Sequence, residues 1–331
     1  MTRTFGRLLL VLVTLAAAAA PALAPHAPSR QFPDHLNAPP MRVRLVDAED
    51  RWHAPFVYPW RLVDRLASQY QEDRSRRVPV RWLTGGRLWS ADPDAGPLLL
   101  LGADRLGRDV FSRLLYGARA SVGVALLGTL GALLIGALVG GLAGYAGGLT
   151  DDVAMQIADF VLLLPAVYVV LALRAALPLV LDAGDLFLLL TALFAFVGWP
   201  MAARGVRAIV ATERRREYAE AARSLGAGHA RLLLRHLLPA ARGFLAVQAT
   251  LLVPAFILAE ATLSFVGLGF GEPTPSWGTM LREAGSNVRD LAVFPWLLSP
   301  AAGIVGVALA VHLGTAGRTS TQLIGAARHD R

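Results

Sequence analysis

Residues 121–143 read SVGVALLGTLGALLIGALVGGLA, and this stretch decides the fold class. It carries no charged side chain, and as an α-helix it is long enough to cross the roughly 30 Å hydrocarbon core of a bilayer. Within it and just after it, Gly136, Gly140 and Gly144 recur at every fourth position and so share one helix face. Small residues on one face let helix backbones approach closely in lipid. We therefore expect a membrane helix that packs through these glycines.

The composition of the whole chain agrees with a membrane protein. Of its 331 residues, 55% are hydrophobic and 17% are charged, whereas soluble domains carry about 25% charged residues. These values argue against an ordinary soluble enzyme and against a disordered chain. The 32 basic and 24 acidic side chains give a net charge of +8. In so apolar a chain this excess favours a membrane over a nucleic-acid partner.

The chain lacks both cysteine and lysine, so all 32 basic residues are arginine. Without cysteine there is no disulfide, thiolate nucleophile or Cys-ligated metal. Without a P-loop lysine, ATP hydrolysis by this chain through a P-loop is excluded. His229 and His236 lie seven residues apart on one helix face, too few ligands for a metal, and we interpret them as solvated or facing a partner. We expect no catalytic residue, metal or cofactor.

Further apolar stretches predict an all-α polytopic membrane protein with about six transmembrane helices. One stretch lies at the N-terminus, and the others follow residue 100. The predicted spans are Leu8–Ala24, Ser121–Ala143, Ala154–Ala176, Leu186–Ala203, Phe244–Leu268 and Val293–Leu313.

Residues 1–25 fit two interpretations. Arg3 and Arg7, an apolar block and a final Ala-Leu-Ala resemble a secretory signal peptide. The same features suit an uncleaved membrane anchor whose N-terminus is cytoplasmic. We favour the anchor, because Pro25 would follow the scissile bond and hinder cleavage. In both cases the residues that follow are exported.

Residues 26–100 differ in kind from the rest of the chain. They are rich in Pro, Arg, Asp and Trp and contain no stretch that could span a bilayer. Two pairs of short segments predict hairpins, and Trp60–Tyr70 predicts a short amphipathic helix. The hairpin pairs are Met41–Val46 with Trp52–Val57, and Val78–Leu83 with Arg87–Ser90. We expect a small extracytoplasmic α+β insert, then a membrane domain over 101–318 and a cytoplasmic tail over 319–331.

The loop over residues 204–242 sets the expected orientation. It holds nine arginines against three glutamates, and an arginine excess in a loop of this length indicates the cytoplasmic side. With the first four spans counted, this loop and both chain termini lie in the cytoplasm.

The same loop contains a predicted helix, a glycine turn and a second helix. Glu213–Leu225 is rich in helix formers, and Gly226 is a natural C-terminal cap. The second helix should run from about His229 to Leu238 and stop at Pro239. Ala219, Ala222 and Leu225 fall on one side of the first helix. Such an apolar face can bind a groove on another protein.

Three blocks carry a resemblance to a known family. The run EYAEAARSLGAGHARLLLRHLLP (217–239) resembles the EAA loop of ABC importer permeases. The blocks LGADRLGRDVFSRLLYGAR (101–119) and EATLSFVGLG with PTPSWG (260–269 and 273–278) resemble the second, C-type permease of the dipeptide/oligopeptide/nickel branch. The resemblance covers about 101–318 and the first span. Near the end, HLGTAGR (312–318) lacks both acidic positions that this family tends to carry.

The resemblance implies a type I ABC importer permease that catalyses no reaction itself. Its coupling helix would bind a cleft of a separate ATPase and transmit nucleotide-driven closure to the membrane helices. The implied partners are a second permease, in a heterodimer, two ATPase subunits and an extracytoplasmic binding protein, and the implied substrates are di- or oligopeptides or nickel complexes. On this chain the coupling positions are Glu217, Tyr218, Ala219, Glu220, Ala221, Ala222, Leu225, Gly226 and Pro239.

Two acidic residues lie inside predicted spans, where an ionisable group costs about 2.5–3.5 kcal/mol. Asp159 and Glu260 are therefore candidates for a substrate pathway or gate, and a hydrogen bond between helices is the alternative for each. Two other protein classes also stay open. One is a secondary carrier that works without ATPases, and the other is a secreted or anchored enzyme whose active part is 26–100.

Overall fold

The computed structural model describes residues 2–65, 68–91, 96–165, 168–169, 172, 181–286 and 288–315. These residues are mostly helical. The chain divides into two compact units, the first made of Met1–Gly6, Gly123–Glu260 and Val311–Arg331, the second of Arg7–Val122 and Ala261–Ala310. The predicted tail over 319–331 lies outside the described residues.

The helices and strands follow one another along the chain as follows. The α-helices are α1 Thr2–Ala18, α2 Ala20–Leu23, α3 Val110–Ala146, α4 Gly148–Leu163, α5 Ala183–Glu213, α6 Glu217–Ser224, α7 His229–Leu232, α8 Arg242–Val266, α9 Trp277–Gly285, α10 Val288–Val293 and α11 Ser299–Thr315. The strands are β1 Arg44–Val46, β2 Trp52–Val57, β3 Trp60–Asp64, β4 Gln69–Glu72, β5 Val78–Pro79, β6 Arg81–Thr84 and β7 Arg87–Ser90.

Four of the described helical segments are long and apolar enough to cross a membrane. They are Val110–Ala146, Ala183–Glu213, His229–Val266 and Pro295–Gly314, and each contains one of the predicted spans or most of it. The other two predicted spans stay predictions. The N-terminal apolar helix is shorter than these four. Helix α4 ends at Leu163, and most of the predicted span beyond it lies outside the described residues.

Glycines on α3 bring it against α5 in the first unit. A Cβ on Gly136 would lie 2.5 Å from the Cβ of Ala202, and one on Gly144 would lie 2.5 Å from the carbonyl oxygen of Arg207. A Cβ on Gly140 would overlap the carbonyl group of Ala203. Each glycine therefore occupies a position where the two backbones leave no room for a side chain.

The second unit contains the strands. Strands β1, β2 and β5 form a three-stranded antiparallel sheet, and β6 pairs with β7 as a separate hairpin. The first predicted hairpin therefore forms. The second forms over Arg81–Thr84 and Arg87–Ser90, while Val78 and Pro79, predicted to belong to it, pair with β2 instead. Buried side chains on and around the three-stranded sheet make a small core, among them Ala38, Met41, Val57, Val78, Leu98 and Leu99.

The predicted helix over Trp60–Tyr70 is wrong, because β3 and β4 form a hairpin there. Leu62 pairs with Tyr70, and Trp60 pairs with Glu72. Trp60 and Leu62 are half-buried while Arg61 is exposed, which is the period of two that a strand requires. The hydroxyl of Tyr70 donates to the carbonyl of Leu36 at 2.7 Å. The described residues of 26–100 contain strands and a single 3₁₀ turn but no α-helix, so this part of the insert is β rather than α+β.

Candidate functional site

Helix α6 lies at the centre of the predicted coupling loop. It begins at Glu217 and not at Glu213, because α5 itself continues to Glu213 and a turn over 214–216 separates the two helices. Glu217 and Glu220 lie in its first turn and Arg223 in its last. This distribution of charge suits the helix dipole, positive at the N-terminus and negative at the C-terminus. The charges therefore favour a short helix at this position.

Gly226 ends α6 in a Schellman motif. Its amide donates to the carbonyl of Arg223 at 2.9 Å, and the amide of Ala227 donates to the carbonyl of Ala222 at 3.0 Å. Gly226 has a φ of +83°, and a Cβ built on it would meet no atom within 4 Å. A side chain here would thus meet no clash, and its cost comes from the left-handed backbone, about 1–2 kcal/mol.

The alanine face of α6 turns inward. Ala219 is fully buried and Ala222 packs beside it, against a core cluster formed by Val206, Val210, Leu232, Leu233, Leu237 and Ala241. Leu225 is 89% exposed and takes no part in this packing. Of the three residues that the sequence suggested for a partner, Ala219 and Ala222 therefore pack on this chain, and only Leu225 stays exposed. The side chains left for a partner belong to Glu217, Tyr218, Glu220, Ala221 and Leu225.

The sequence predicted that the second helix of the loop stops at Pro239, and this prediction is wrong. The backbone passes from α7 through a π turn over Leu233–Leu237 and a 3₁₀ stretch over Leu238–Ala241 into α8. Proline lacks an amide hydrogen and would clash with the preceding turn of a regular α-helix. The wider π turn and the early place of Pro239 in the 3₁₀ stretch avoid both problems.

Tyr145, at the end of α3, contacts the loop on both sides of α6. The sequence did not single out this residue. The guanidinium of Arg214 donates to the Tyr145 carbonyl at 2.6 Å, and Tyr145 Oη lies 2.5 Å from His229 Nδ1. The guanidinium of Arg223 lies 5.9 Å from the centre of the Tyr145 ring. One feature of the sequence could have indicated Tyr145: it is an aromatic residue two positions beyond Ala143, the predicted end of the span. His229 is exposed, but its ring contacts this tyrosine.

Tyr218 is held at the start of the loop. Its hydroxyl donates to Glu213 Oε2 at 2.8 Å. Burial, together with this bond to a carboxylate, raises the pKa of Tyr218 to about 12. The phenol therefore stays protonated at neutral pH and acts as a donor.

The two acidic candidates in the spans have different surroundings. Asp159 on α4 forms an ion pair with Arg204 on α5, and both side chains are about half exposed. On the same pair of helices, Arg207 Nε donates to Asp151 Oδ1 at 2.7 Å. Glu260, in α8, is fully buried. The pair at Asp159 fits a contact between helices, and a role for either residue in a substrate pathway stays a proposal.

A second cluster of charges lies in the second unit, around two buried arginines. Arg108 Nε contacts Asp104 at 2.7 Å, and its two terminal nitrogens contact Glu272 and Glu283 at 2.6 Å each. Arg113 Nη2 lies 3.1 Å from both glutamates. The cluster borders a cavity of about 540 Å³. The block over residues 101–119 holds Asp104, Arg108 and Arg113, whereas Glu272 and Glu283 lie outside the blocks that carry the resemblance, and the sequence pattern did not predict that these residues meet.

The pKa values of the two glutamates in this cluster are shifted in opposite directions. Burial raises the pKa of Glu283 to about 7, and its contact with Glu272 adds to the effect. For Glu272, burial is outweighed by the hydrogen bond from Glu283 and by the charges of Arg113 and Arg108, and its pKa falls to about 2. The pair therefore favours one charged and one protonated glutamate near neutral pH.

Among the described residues, no group of three or more His, Asp or Glu side chains is arranged to hold a metal ion.

Comparison with known proteins identifies relatives of this chain. Residues 132–325 match the family described as "Binding-protein-dependent transport system inner membrane component". The chain is 33% identical over 309 residues to the di/tripeptide transport system permease protein DppC of Pseudomonas aeruginosa, which covers 93% of this chain and 83% of that one. It is 38% identical over 208 residues to the oligopeptide transport system permease protein OppC of Bacillus subtilis, over 63% of this chain and 65% of that one. It is 42% identical over 182 residues to the dipeptide transport system permease protein DppC of Bacillus subtilis, over 55% of each chain. The matched region thus spans slightly less than two thirds of OppC and about half of the Bacillus DppC.

Proposed function

We propose a function that proceeds from the family of this chain: it belongs to the inner membrane components of binding-protein-dependent transport systems. It is a multi-pass permease, and four of its described helices are long enough to cross the membrane. Our proposal is that it forms half of the translocation path of an ATP-driven peptide importer. The names of the relatives, which are di-, tri- and oligopeptide permeases, support the substrate class.

The proposed partners are those of the transport systems whose inner membrane component this family is. The chain has no lysine with which to form a P-loop, and we propose that separate subunits hydrolyse the ATP. A second permease would complete the path, two ATPase chains would drive it, and an extracytoplasmic binding protein would deliver the peptide. Asp159 and Glu260 remain candidates for its pathway or gate.

One observation carries the proposed coupling role of α6. The helix is short, its alanine face is packed on the chain's own core, and its other face is exposed with Leu225 at the tip. Because Tyr145 ties the flanking segments to α3, a displacement of α6 would be transmitted to a membrane helix. We propose that this exposed face binds an ATPase cleft on the cytoplasmic side, with both chain termini on the same side.

The proposal is tested by purification and by transport. The tagged chain is extracted from its native membrane in mild detergent, co-purifying proteins are identified by mass spectrometry, and the sample is reconstituted into liposomes with its binding protein. We expect a second permease and P-loop ATPases, and uptake of labelled trialanine only with ATP. A chain that purifies alone and takes up the peptide without ATP would make it a secondary carrier instead.

A further inference from the structure

The β6–β7 hairpin presents apolar side chains to its surroundings. Gly85 and Gly86 form its turn, with φ of +62° and +75°. All four residues of β6 are exposed, and Trp82 and Leu83 are 53% and 79% exposed. Trp82 faces Trp89 across the hairpin, with their ring centres 6.1 Å apart. The residues that the structure describes thus leave much of Trp82 and most of Leu83 uncovered.

The hairpin is attached to the end of the first apolar helical segment. Trp89 Nε1 donates to the carbonyl of Leu23, the last residue of α2, at 2.7 Å. The guanidinium of Arg87 donates to the carbonyl of Pro25. Just before this point, α1 carries exposed leucines and valine on its surface, namely Leu8, Val11, Leu12 and Leu15. The hairpin is therefore continuous with an exposed apolar surface.

A second apolar helix begins at the same place. The Trp89 ring lies 6.2 Å from the ring of Phe111, which is the second residue of the long apolar helix α3. Trp89 is thus in contact with the outgoing end of one apolar segment and the incoming end of another. If the first segment enters the bilayer as the predicted span Leu8–Ala24, β7, which contacts its end, lies near the depth where the hydrocarbon ends and the headgroups begin. Helix α3 has 37 residues, which at about 1.5 Å per residue gives about 55 Å, so its first turns extend beyond the hydrocarbon core on the same side.

The composition of the hairpin suits that depth. Residues 81–90 read RWLTGGRLWS, with two Trp, two Leu, two Arg and no acidic residue. Tryptophan is enriched at the membrane–water interface, and arginine is attracted to anionic headgroups. The predicted span Leu8–Ala24 has 17 residues, which at about 1.5 Å per residue gives about 25 Å, somewhat less than a hydrocarbon core of about 30 Å. Its end therefore lies close to the interface.

We propose that the β6–β7 hairpin is a membrane-interface anchor, which inserts Trp82 and Leu83 among the phospholipids of the outer leaflet. The absence of acidic residues and the contacts with two helix ends favour lipid over a protein as the occupant of this surface. The inference goes beyond the transport role and rests on two conditions: α1 and α3 enter the bilayer, and residues 26–100 lie on the extracytoplasmic side, as in the proposed orientation.

The test uses the absence of native cysteine. Leu83→Cys is labelled with a nitrobenzoxadiazole fluorophore in the purified complex and reconstituted into vesicles of phosphatidylethanolamine and phosphatidylglycerol, with and without doxyl-labelled lipid. Leu12→Cys on α1 is the lipid-exposed control, and Arg74→Cys, in the β4–β5 loop and 63% exposed, is the water-exposed control. We expect the Leu83 label to emit at shorter wavelength than the Arg74 label and to be quenched at least half as strongly as the Leu12 label.

Two outcomes would overturn the proposal. Emission and quenching equal to those of the Arg74 label would place the hairpin in water. A short-wavelength emission without quenching by doxyl lipid would mean that a protein partner covers it. Because a label could disturb Leu83, whose φ is +55°, Trp82→Cys is measured in parallel, and the same criteria apply.

Discussion

Gly226 and Gly228 are two exposed glycines of one turn, and they differ in backbone conformation. Gly226 has a φ of +83°, whereas Gly228 has a φ of −66°, and a Cβ on either would meet no atom within 4 Å. Gly226→Val should therefore cost the turn about 1–2 kcal/mol, while Gly228→Val keeps an allowed backbone conformation and loses only the N-cap preference of glycine at the start of α7, which should cost less. We expect Gly226→Val to insert normally but to lose most ATP-driven uptake of labelled trialanine while the associated ATPase continues to hydrolyse ATP.

Comparison of Gly226→Val with Gly228→Val separates the effect of backbone conformation on coupling from the effect of adding a side chain. Membrane insertion is measured by the amount of purified protein, and coupling by peptide taken up per ATP hydrolysed. Equal coupling in both variants, at the level of the unaltered protein, would contradict the role of the turn in coupling.

Glu283 predicts a pH dependence of stability. Its pKa is about 7 in the folded chain against a usual value of 4.5, so between these values the folded state keeps a proton that the unfolded state has lost. The stabilising contribution is complete below pH 4.5 and is lost as the pH rises through 7. We expect the thermal unfolding midpoint of the detergent-solubilised protein to fall over this window. In Glu283→Gln, which keeps the hydrogen-bonding shape without the titration, the fall should be smaller, and an unchanged slope would refute the assignment.

At the scale of helices and strands, the sequence predicted the long spans well because the bilayer leaves few solutions. A stretch of about 20 apolar residues must satisfy its backbone groups internally, and a helix does so. Trp60–Tyr70 was mispredicted because so short a segment fits a period of 3.6 and a period of 2 about equally, and pairing with a neighbouring strand decides between them. Pro239 was mispredicted because a local rule about proline cannot foresee a π turn that tertiary packing stabilises.

The contact between α3 and α5 predicts opposite signs for two glycine-to-alanine changes. In a helix, alanine is favoured over glycine by about 1 kcal/mol, so Gly184→Ala on α5, where a Cβ meets nothing within 4 Å, should be neutral or slightly stabilising. Gly140→Ala places a Cβ on the carbonyl of Ala203, and overpacking of this kind costs about 1–3 kcal/mol. Thermal unfolding in detergent should show a lower midpoint for Gly140→Ala only. Equal midpoints in the two variants would mean that the helices are not in close contact.

At the scale of the whole molecule, single blocks of sequence were recognisable, but contacts between residues distant in sequence were not predicted. Arg108 and Glu283 lie 175 residues apart, and no periodicity or local motif encodes so distant a pair. The positions of the two α6 alanines were equally hidden, because a small apolar face can pack on a partner or on the chain itself. Only burial in the folded chain shows whether such a face packs on a partner or on the chain itself. The sequence pattern is the same in both cases.

The proposed orientation of the chain is tested with single cysteines. Leu225→Cys reports on the loop that contains α6, and Arg74→Cys reports on residues 26–100, each with an exposed side chain. A membrane-impermeant maleimide should label Arg74→Cys in spheroplasts and Leu225→Cys only in inside-out vesicles, because an odd number of spans must separate the two sites. Labelling of both from one side would reverse one of the two assignments and remove α6 from the ATPase side.

The π turn over Leu233–Leu237 has a kinematic consequence. A π turn holds more residues than a turn of α-helix, and each residue of an α-helix advances about 100° around the axis. If one surplus residue were taken up into regular α-helix, everything that follows in α8 would rotate by about that angle relative to α7. A small axial displacement at the loop would then become a rotation of α8 about its axis, which changes the side chains that α8 presents to its neighbours.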